Sequence, residues 1–374
     1  MKLVEFVPPT PHPLWELCPQ MGITDVIVKV NPELTGFNDP WKLETLASIV
    51  SRLKSAGLTV VGLEGDPFDM APIKEFGERG MGNEEREEAL AHYRELLESM
   101  GQLGIKLLCY NFMVGKGWSR SGVREGRGGA KATYFSLKET EKERTSDFGH
   151  QASSTEVRSL KSEVLILNHE QVWANYECFI KAVMPTAEKL GIRMGLHPDD
   201  PCLSSLGGYA RIFGSIEAYD RAYAIYPSPS NAVTFCQANF KLMFTNDNCH
   251  NCSQITNVNS ACATRMDNPV KTLESAARHF GKRIAFIHIR DVEGDKTDFT
   301  ELFHDQGDVD QFALMRTYSE IGLDVPVRGD HVPEMAYDRA LTPDGTPGYF
   351  TLGRLFANGY LKALLQGTES GVKC

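Results

Sequence analysis

The sequence predicts one α/β domain over residues 1–374, folded as a single (β/α)8 TIM barrel with long loop insertions. Eight short apolar segments alternate with helical segments, which is typical of this architecture. Four of the apolar segments also end in a potential metal ligand, and barrel enzymes carry their active sites at the carboxyl ends of the strands. The competing architecture is an open doubly wound sheet. No Gly-x-Gly-x-x-Gly motif follows an early strand, which favours the barrel.

The strands are predicted from short apolar runs that end at glycine, proline or polar residues. The eight predicted strands lie within residues 3–7, 22–30, 59–64, 106–112, 193–198, 232–237, 284–290 and 325–331.

The helices are predicted from apolar residues at helical spacing and from capping residues. They cover residues 14–21, 39–53, 83–100, 170–190, 215–226, 268–280, 308–321 and 353–365. Asp39 and Asn268 each precede a proline, so we expect them to cap their helices with proline at the first helical position.

Composition and charge limit the possible functions. The chain has a formal net charge of -10, which argues against binding to nucleic acid or to an anionic membrane. No apolar run approaches the roughly 20 residues needed to span a bilayer. The amino terminus does not resemble a signal peptide, and nine cysteines form no disulfide framework. We therefore expect a cytoplasmic protein with reduced thiols.

Two stretches interrupt the alternation of strands and helices. Residues 113–163 are rich in Gly, Ser and charged residues and form a predicted lid or insertion loop. Their basic residues either line a lid over an anionic substrate or form a solvated loop. Residues 241–267 form a second insertion containing Cys249, Cys252 and Cys262. A structural zinc site is conceivable there, but the second Cys-x-x-Cys pair is missing, which favours a polar surface loop.

The candidate metal ligands stand at the carboxyl ends of the last four predicted strands. They are His197, Cys236, His288 and Asp330. Taken alone, each is more often a buried structural residue than a ligand. A closed barrel would bring all four together, and their side chains bind divalent transition metals once deprotonated. Such a site could chelate a carboxylate with its neighbouring hydroxyl and act as a Lewis acid on a hydroxy acid.

Several motifs resemble those of one enzyme family. The matching blocks are His197-Pro-Asp-Asp-Pro201, Thr234-Phe-Cys-Gln237, Phe286-Ile-His-Ile-Arg290, Arg328-Gly-Asp-His331, Cys109-Tyr-Asn-Phe-Met113 and Gly348-Tyr-Phe-Thr-Leu-Gly-Arg354. Together these blocks resemble mannonate dehydratase, a xylose-isomerase-like barrel. The resemblance implies dehydration of D-mannonate to 2-keto-3-deoxy-D-gluconate. It also implies a small anionic sugar-acid substrate, a homo-oligomer and a divalent metal. Manganese (Mn2+) is the expected metal, with Fe2+, Co2+ or Zn2+ as alternatives.

The resemblance also implies roles for individual residues. The family's metal ligands fall on the same four residues, and His331 and Tyr349 match its acid/base pair without showing which is the base. Asp305 is a further catalytic candidate. The candidate substrate-binding residues are Asn111, Arg290, Arg328 and His304. The 304–305 pair could equally belong to a helix-capping loop, and either arginine could instead pair with barrel carboxylates.

The chain departs from the family pattern mainly in its first half. Glu5-Phe-Val-Pro8 stands where the family has Arg-Trp-Tyr, and Glu64-Gly-Asp-Pro-Phe-Asp69 lacks the expected His. Gly117, Ala238 and Gly329 replace an Asp, a Gly and a Pro of the family. These changes predict intact metal chemistry and allow a different polyhydroxy acid as substrate.

Other functions fit the sequence less well. A xylose-isomerase-like sugar isomerase or epimerase uses carboxylates and His without a Cys ligand, so Cys236 counts against it. A barrel endonuclease would need a basic groove, and a scaffold protein would not need the four ligands. A divergent metal-dependent lyase acting on another substrate remains an alternative.

Overall fold

The computed structural model describes residues 1–77, 82–115, 117–148, 166–245 and 272–369. Its strands are β1 Lys2–Leu3, β2 Glu5–Val7, β3 Asp25–Val28, β4 Thr59–Glu64, β5 Leu107–Tyr110, β6 Gly122–Glu125, β7 Lys131–Ser136, β8 Arg193–Leu196, β9 Ser205–Leu206, β10 Tyr209–Ala210, β11 Asn231–Cys236, β12 Ile284–Ile289, β13 Val292–Asp295, β14 Asp298–Glu301 and β15 Pro326–Gly329. Its α-helices are α1 Pro13–Gln20, α2 Pro32–Thr35, α3 Leu43–Ser55, α4 Ala71–Lys74, α5 Asn83–Gln102, α6 Leu137–Phe148, α7 His169–Leu190, α8 Ile216–Ile225, α9 Gln237–Met243, α10 Leu273–Phe280, α11 Gln311–Ile321, α12 Asp338–Leu341 and α13 Thr351–Glu369.

A parallel sheet at the centre of the molecule closes into a barrel. Its order is β1-β15-β12-β11-β8-β5-β4-β3-β2, and the two end segments, β1 and β2, are separated only by Val4. The amide of Val4 donates to the carbonyl of Val327 at 2.9 Å, which continues the ladder across this break. Counting β1 and β2 as one interrupted strand gives the eight strands of the predicted (β/α)8 barrel, which is confirmed.

Apolar side chains fill both faces of the barrel wall. The interior holds a small cluster that includes Val4, Ile27, Leu107, Cys109 and Phe286. A much larger cluster lies between the strands and the surrounding helices. Strands buried on both faces read as continuous apolar runs, which is why they stand out in the sequence. None of the helices in the described ranges is long and apolar enough to cross a membrane.

Helix boundaries follow local capping chemistry. Asn168 caps α7 through a hydrogen bond with the Gln171 amide, and Gly191 ends that helix with a φ of 63°. The predicted cap at Asp39 is wrong, because α3 begins at Leu43 and Lys42 occupies the cap position. The Asp39 carboxylate instead accepts a hydrogen bond from the Lys42 ammonium at 2.7 Å. The predicted cap Asn268 lies outside the described residues.

Part of the first insertion forms regular structure. Strands β6 and β7 pair with each other, and β7 pairs with β14 in a four-stranded antiparallel sheet of order β13-β14-β7-β6. Residues 117–148 of the predicted lid therefore build a small sheet with the two strands that follow β12. Residues 116 and 149–163 of the predicted lid, and Cys249, Cys252 and Cys262 of the second insertion, lie outside the described residues.

A buried ion pair joins the two ends of the chain. The Glu5 carboxylate, on the first barrel strand, accepts a hydrogen bond from Arg354 of α13 at 2.5 Å and another from Asn358. All three side chains are buried. This contact fixes the last helix against the strand that closes the barrel, and it explains why a carboxylate is accommodated in an otherwise apolar strand.

Removing the Glu5 carboxylate should destabilise the fold, because the Arg354 charge would be left buried without its partner. We expect Glu5→Leu to lower the free energy of unfolding by about 3–5 kcal/mol, measured by urea denaturation. The double variant Glu5→Leu/Arg354→Met should recover most of the loss. An unchanged unfolding midpoint for Glu5→Leu would show that the pair does not hold the two ends together.

Candidate active site

Four potential metal ligands meet at the carboxyl end of the barrel. His197 follows β8, Cys236 ends β11, His288 lies in β12, and Asp330 follows β15. Each offers one ligand atom, and these atoms all lie within 4.8 Å of one another. We refer to these four residues as the quartet. Neighbouring parallel strands place their final inward-facing side chains side by side, so the closed barrel produces this cluster.

The imidazole of His288 is fully buried, and within the described ranges neither of its nitrogens has a hydrogen-bond partner. Its Nδ1 lies 3.7 Å from Asp330 Oδ2, and its Nε2 lies 3.6 Å from Glu64 Oε2. Both distances exceed hydrogen-bonding length. An unsatisfied buried polar atom costs about 1–3 kcal/mol. A metal ion bound at the quartet would satisfy one of these nitrogens.

The other ligands of the quartet are held by neighbouring polar groups. His197 Nδ1 lies 2.8 Å from the carbonyl oxygen of Pro198, which only accepts hydrogen bonds, so Nδ1 carries the proton and Nε2 has a free lone pair. Arg290 Nη1 lies 3.7 Å from the Cys236 sulfur and donates to it. Asp330 is buried, which by itself raises a carboxyl pKa, but His331 and Arg328 hold its pKa well below the usual range.

A second group of potential ligands shares His288 with the quartet. It consists of Glu64, Cys109 and His288. Arg328 already binds this Glu64, with an Nη2–Oε1 distance of 2.6 Å. Burial alone would raise the pKa of Glu64, but Arg328 and His288 together hold it at about 2. Burial raises the pKa of Cys109 well above its usual value, so this thiol stays protonated. The quartet is therefore the better metal site of the two.

A buried ionic network surrounds the quartet. Arg290 binds Asp200 at 2.9 Å and Glu301 at 2.6 Å, and Arg120 binds the same two carboxylates at 2.7 Å each. Burial alone would raise the pKa of Glu301, but Arg290 and Arg120 hold it at about 2. The pKa of Asp200 is likewise lowered by Arg120 and Arg290 against the effect of burial. Both carboxylates are therefore charged at neutral pH.

His331 and Tyr349 form a hydrogen-bonded pair beside the quartet. His331 Nε2 lies 2.8 Å from the Tyr349 hydroxyl oxygen, and the Tyr349 hydroxyl donates to Asp330 Oδ1 at 3.3 Å. His331 Nδ1 lies 3.1 Å from Glu301 Oε1. Because this carboxylate can only accept, Nδ1 carries a proton and Nε2 faces the tyrosine. Burial, followed by the charge of Asp330, raises the Tyr349 pKa well above its usual value, so the phenol is protonated at neutral pH.

The structure places the other candidate residues in different environments. Arg290 and Arg328 are fully buried and pair with carboxylates beside the quartet. His304 is buried against the carbonyl of Ile289, with its Nε2 at 2.8 Å from that oxygen, and burial lowers its pKa. Asp305 forms an ion pair with Arg127 at 2.9 Å. Among the described residues, no hydrogen bond or ion pair joins Asp305 to the quartet, His331 or Tyr349.

Asn111 lies directly after β5, at the same end of the barrel. Its Oδ1 accepts hydrogen bonds from the Lys74 ammonium at 2.9 Å and from the Met113 amide at 3.1 Å. This arrangement fixes which end of the carboxamide is the oxygen.

Sequence reasoning did not select several residues of this site. They are Glu64, Lys74, Arg120, Asp200 and Glu301. Asp200 stands in the His-Pro-Asp-Asp-Pro block, and Arg120 follows a tryptophan in the first insertion, so the motifs carried some signal for both. Glu301 ends a hairpin strand whose pairing with β7 is distant in sequence, so nothing local indicated its place.

Comparison with known proteins agrees with this geometry. A family model described as D-mannonate dehydratase (UxuA) matches residues 16–259 and 241–373. Mannonate dehydratase of Streptococcus equi subsp. zooepidemicus is 27% identical over 334 residues, which cover 86% of this chain and 83% of that protein. Mannonate dehydratase of Oceanobacillus iheyensis is 27% identical over 343 residues, which cover 89% of this chain and 87% of that protein.

Solved structures share the fold. The crystal structure of mannonate dehydratase from Streptococcus suis serotype 2 superposes with a TM-score of 0.75 at 24% identity, covering 99% of this chain and 94% of that one. A xylose isomerase domain protein from Planctomyces limnophilus gives a TM-score of 0.52 at 13% identity, covering 99% of this chain and 98% of that one. The family match spans nearly the whole chain and confirms the resemblance found in the motifs. The chain therefore belongs to the D-mannonate dehydratase family, whose named members are hydro-lyases.

Proposed function

We propose that this protein is a metal-dependent hydro-lyase that removes water from a sugar acid, D-mannonate or a related polyhydroxy acid, to give a 2-keto-3-deoxy acid. The observation that carries this proposal is the quartet, with its mixed nitrogen, sulfur and oxygen donors around the unpartnered ring of His288. Family membership supports the reaction class.

The charges around the quartet support a divalent ion. The buried carboxylates of Asp200, Glu301 and Asp330 and the partly buried carboxylate of Glu64 carry four negative charges, and a Cys236 thiolate would add a fifth. Three buried guanidiniums, of Arg120, Arg290 and Arg328, offset three of them. The remaining two negative charges equal the charge of one divalent cation. Mn2+ is the proposed ion, and Fe2+, Co2+ and Zn2+ suit the same donors.

When bound, the ion would supply Lewis-acid chemistry to the carboxylate and C2 hydroxyl of the substrate, which acidifies the proton on C2. The reaction then needs a base for that proton and an acid for the leaving C3 hydroxyl. His331 and Tyr349 meet both needs, since Nε2 of His331 can hold a proton and the buried phenol keeps its own. Loss of water leaves an enol, which tautomerises to the 2-keto acid.

Glu301 and Arg120 position this pair. Glu301 accepts a hydrogen bond from His331 Nδ1 and so directs Nε2 towards Tyr349. Arg120 holds Glu301 in place and lies 3.2 Å from His331 Nδ1. The edge of Trp118 covers the imidazole, with 5.3 Å between ring centroids. These contacts restrict His331 to one orientation. A cytoplasmic location and a homo-oligomeric state remain predictions.

The direct test is an assay of metal-reconstituted protein with D-mannonate, following formation of a 2-keto-3-deoxy acid. We expect product formation that depends on added Mn2+. If the protein dehydrates a different sugar acid from a panel and not D-mannonate, the proposed reaction class holds and the proposed substrate is replaced. A metal-loaded protein that dehydrates none of the panel would overturn the proposal.

Metal binding should depend on Cys236 and not on Cys109. We expect about one Mn2+ per chain for the wild type, and an affinity more than about 100-fold weaker for Cys236→Ala, because one of four ligands is lost. Cys109→Ala is the matched control, since it removes a second buried thiol on the neighbouring group of ligands. Equilibrium dialysis with elemental analysis gives both numbers. Loss of metal in Cys109→Ala alone would place the ion in the second group instead.

Substituting either member of the acid/base pair should slow the reaction without removing the metal. We expect His331→Asn and Tyr349→Phe each to lower kcat by about 10²- to 10⁴-fold, with metal content unchanged. Exchange of the C2 proton in deuterated water, followed by NMR, separates the two roles. The variant that still exchanges this proton but forms no product retains the base. Wild-type kcat in both variants would exclude the pair from the chemistry.

A further inference from the structure

A buried lysine at the mouth of the barrel has no part in the proposed chemistry. The side chain of Lys74 is 4% exposed and forms an ion pair with Asp66 at 2.7 Å. Its ammonium also donates to Asn111 Oδ1 at 2.9 Å. Burying an ammonium group is costly unless its partners are fixed, so this arrangement needs a reason.

The position of Lys74 is held from the backbone as well. Lys74 ends the short helix α4, and Asn175 of α7 donates from Nδ2 to the carbonyls of Lys74 and Phe76 at 3.1 and 3.0 Å. The ammonium is therefore fixed relative to the barrel, and it fixes the Asn111 carboxamide in turn.

The carboxamide of Asn111 is oriented as a hydrogen-bond donor. Its oxygen accepts from Lys74 and from the Met113 amide, which uses both lone pairs. Within the described part of the chain, no group accepts a hydrogen bond from its Nδ2. Cys109 faces the barrel interior, and Asn111 lies two residues further along the same chain, so alternation directs it to the same face. A fixed donor at the barrel mouth suits a substrate hydroxyl.

Strand order places this donor opposite the acid/base pair. In the closed barrel, β15 is the fourth strand from β5 in either direction. One direction passes β8, β11 and β12, and the other passes β4, β3 and the β1–β2 strand. Asn111 follows β5 and His331 follows β15, so they stand on opposite walls of the eight-stranded barrel. Three members of the quartet stand on the strands between them, β8, β11 and β12, and Asp330 follows β15 directly before His331.

We infer that Lys74 is a positioning residue which, through Asn111, forms a binding site for the distal hydroxyl groups of a sugar acid. The inference rests on the proposed function and adds to it a preference for long chains. A substrate whose C1 to C3 atoms lie at the quartet and the His331–Tyr349 pair would extend its C4 to C6 hydroxyls towards the opposite wall. A short hydroxy acid would occupy only the first part of the site.

The test compares two acids that differ only in length. D-mannonate has six carbons, and L-erythronate has four with the same configuration at C2 and C3. We expect wild-type kcat/KM to be higher for D-mannonate. Lys74→Met, which keeps the apolar stem, should lower kcat/KM for D-mannonate by about 10- to 100-fold, mainly through KM, since a hydrogen bond to the substrate is lost. The same variant should leave values for L-erythronate within about twofold.

Two further variants separate positioning from folding. Lys106→Met is the matched control, because Lys106 precedes the same strand at the opposite end of the barrel and its exposed ammonium donates to the Leu190 carbonyl. Asn111→Leu should reproduce the loss on D-mannonate, and Lys74→Met should add little in that background, because Lys74 acts through Asn111. Metal content and the unfolding midpoint are measured for each variant.

The outcomes are distinct. A loss that is equal for both acids, or that is additive with Asn111→Leu, would assign Lys74 to folding and overturn the inference while dehydration stands. Equal wild-type kcat/KM for the two acids would also overturn it. If the metal-loaded wild type dehydrates neither acid nor any other sugar acid, the proposed function fails and the inference fails with it.

Discussion

The compensation of buried charge at the barrel mouth is the constraint on which the site depends. Arg290 and Arg328 are each fully buried, and an unpaired buried charge costs several kcal/mol. Arg328 therefore bridges Glu64 and Asp330, and Arg290 bridges Asp200 and Glu301. Asp330 belongs to the quartet and Glu301 orients His331, so the same contacts that neutralise the arginines also fix the groups proposed to bind metal and move protons.

The small antiparallel sheet is part of this compensation. Glu301 ends β14 of that sheet, and Arg120 lies just before β6, so both reach the barrel mouth from outside the (β/α)8 framework. Arg120 binds Asp200, which follows β8, and thereby ties the sheet to the barrel through a side chain that is 4% exposed. The orientation of His331 therefore depends on the docking of this sheet. A displacement of the sheet would separate Arg120 from Asp200 and Glu301 from Arg290 and His331, which favours one docked position.

The sequence predicted those parts of the structure whose signals are local. Each barrel strand is a short apolar run, and each member of the quartet stands at the end of its own run, so strand position alone brought His197 and Asp330 together. The hairpin β13–β14 was not predicted, because its pairing with β7 joins residues more than 150 positions apart. His304 and Asp305 are adjacent, so the sequence gives both the same predicted environment. In the structure His304 is buried against the Ile289 carbonyl, whereas Asp305 binds the exposed Arg127. This difference depends on tertiary contacts that the sequence does not show.

Two of the departures from the family motifs, at Glu5–Pro8 and Glu64–Asp69, fall on one side of the site. Glu5 points towards α13 and binds Arg354, so this change concerns the closure of the barrel. Its neighbour Phe6 faces the site instead, with its ring 6.0 Å from that of Tyr349 and 5.2 Å from the Arg328 guanidinium. Asp66, in the altered segment after β4, binds Lys74. These two altered segments thus lie on the wall from β2 to β4, whereas the quartet belongs to β8, β11, β12 and β15. Under the proposed function, substrate preference can change along the first wall while the metal-binding wall stays the same.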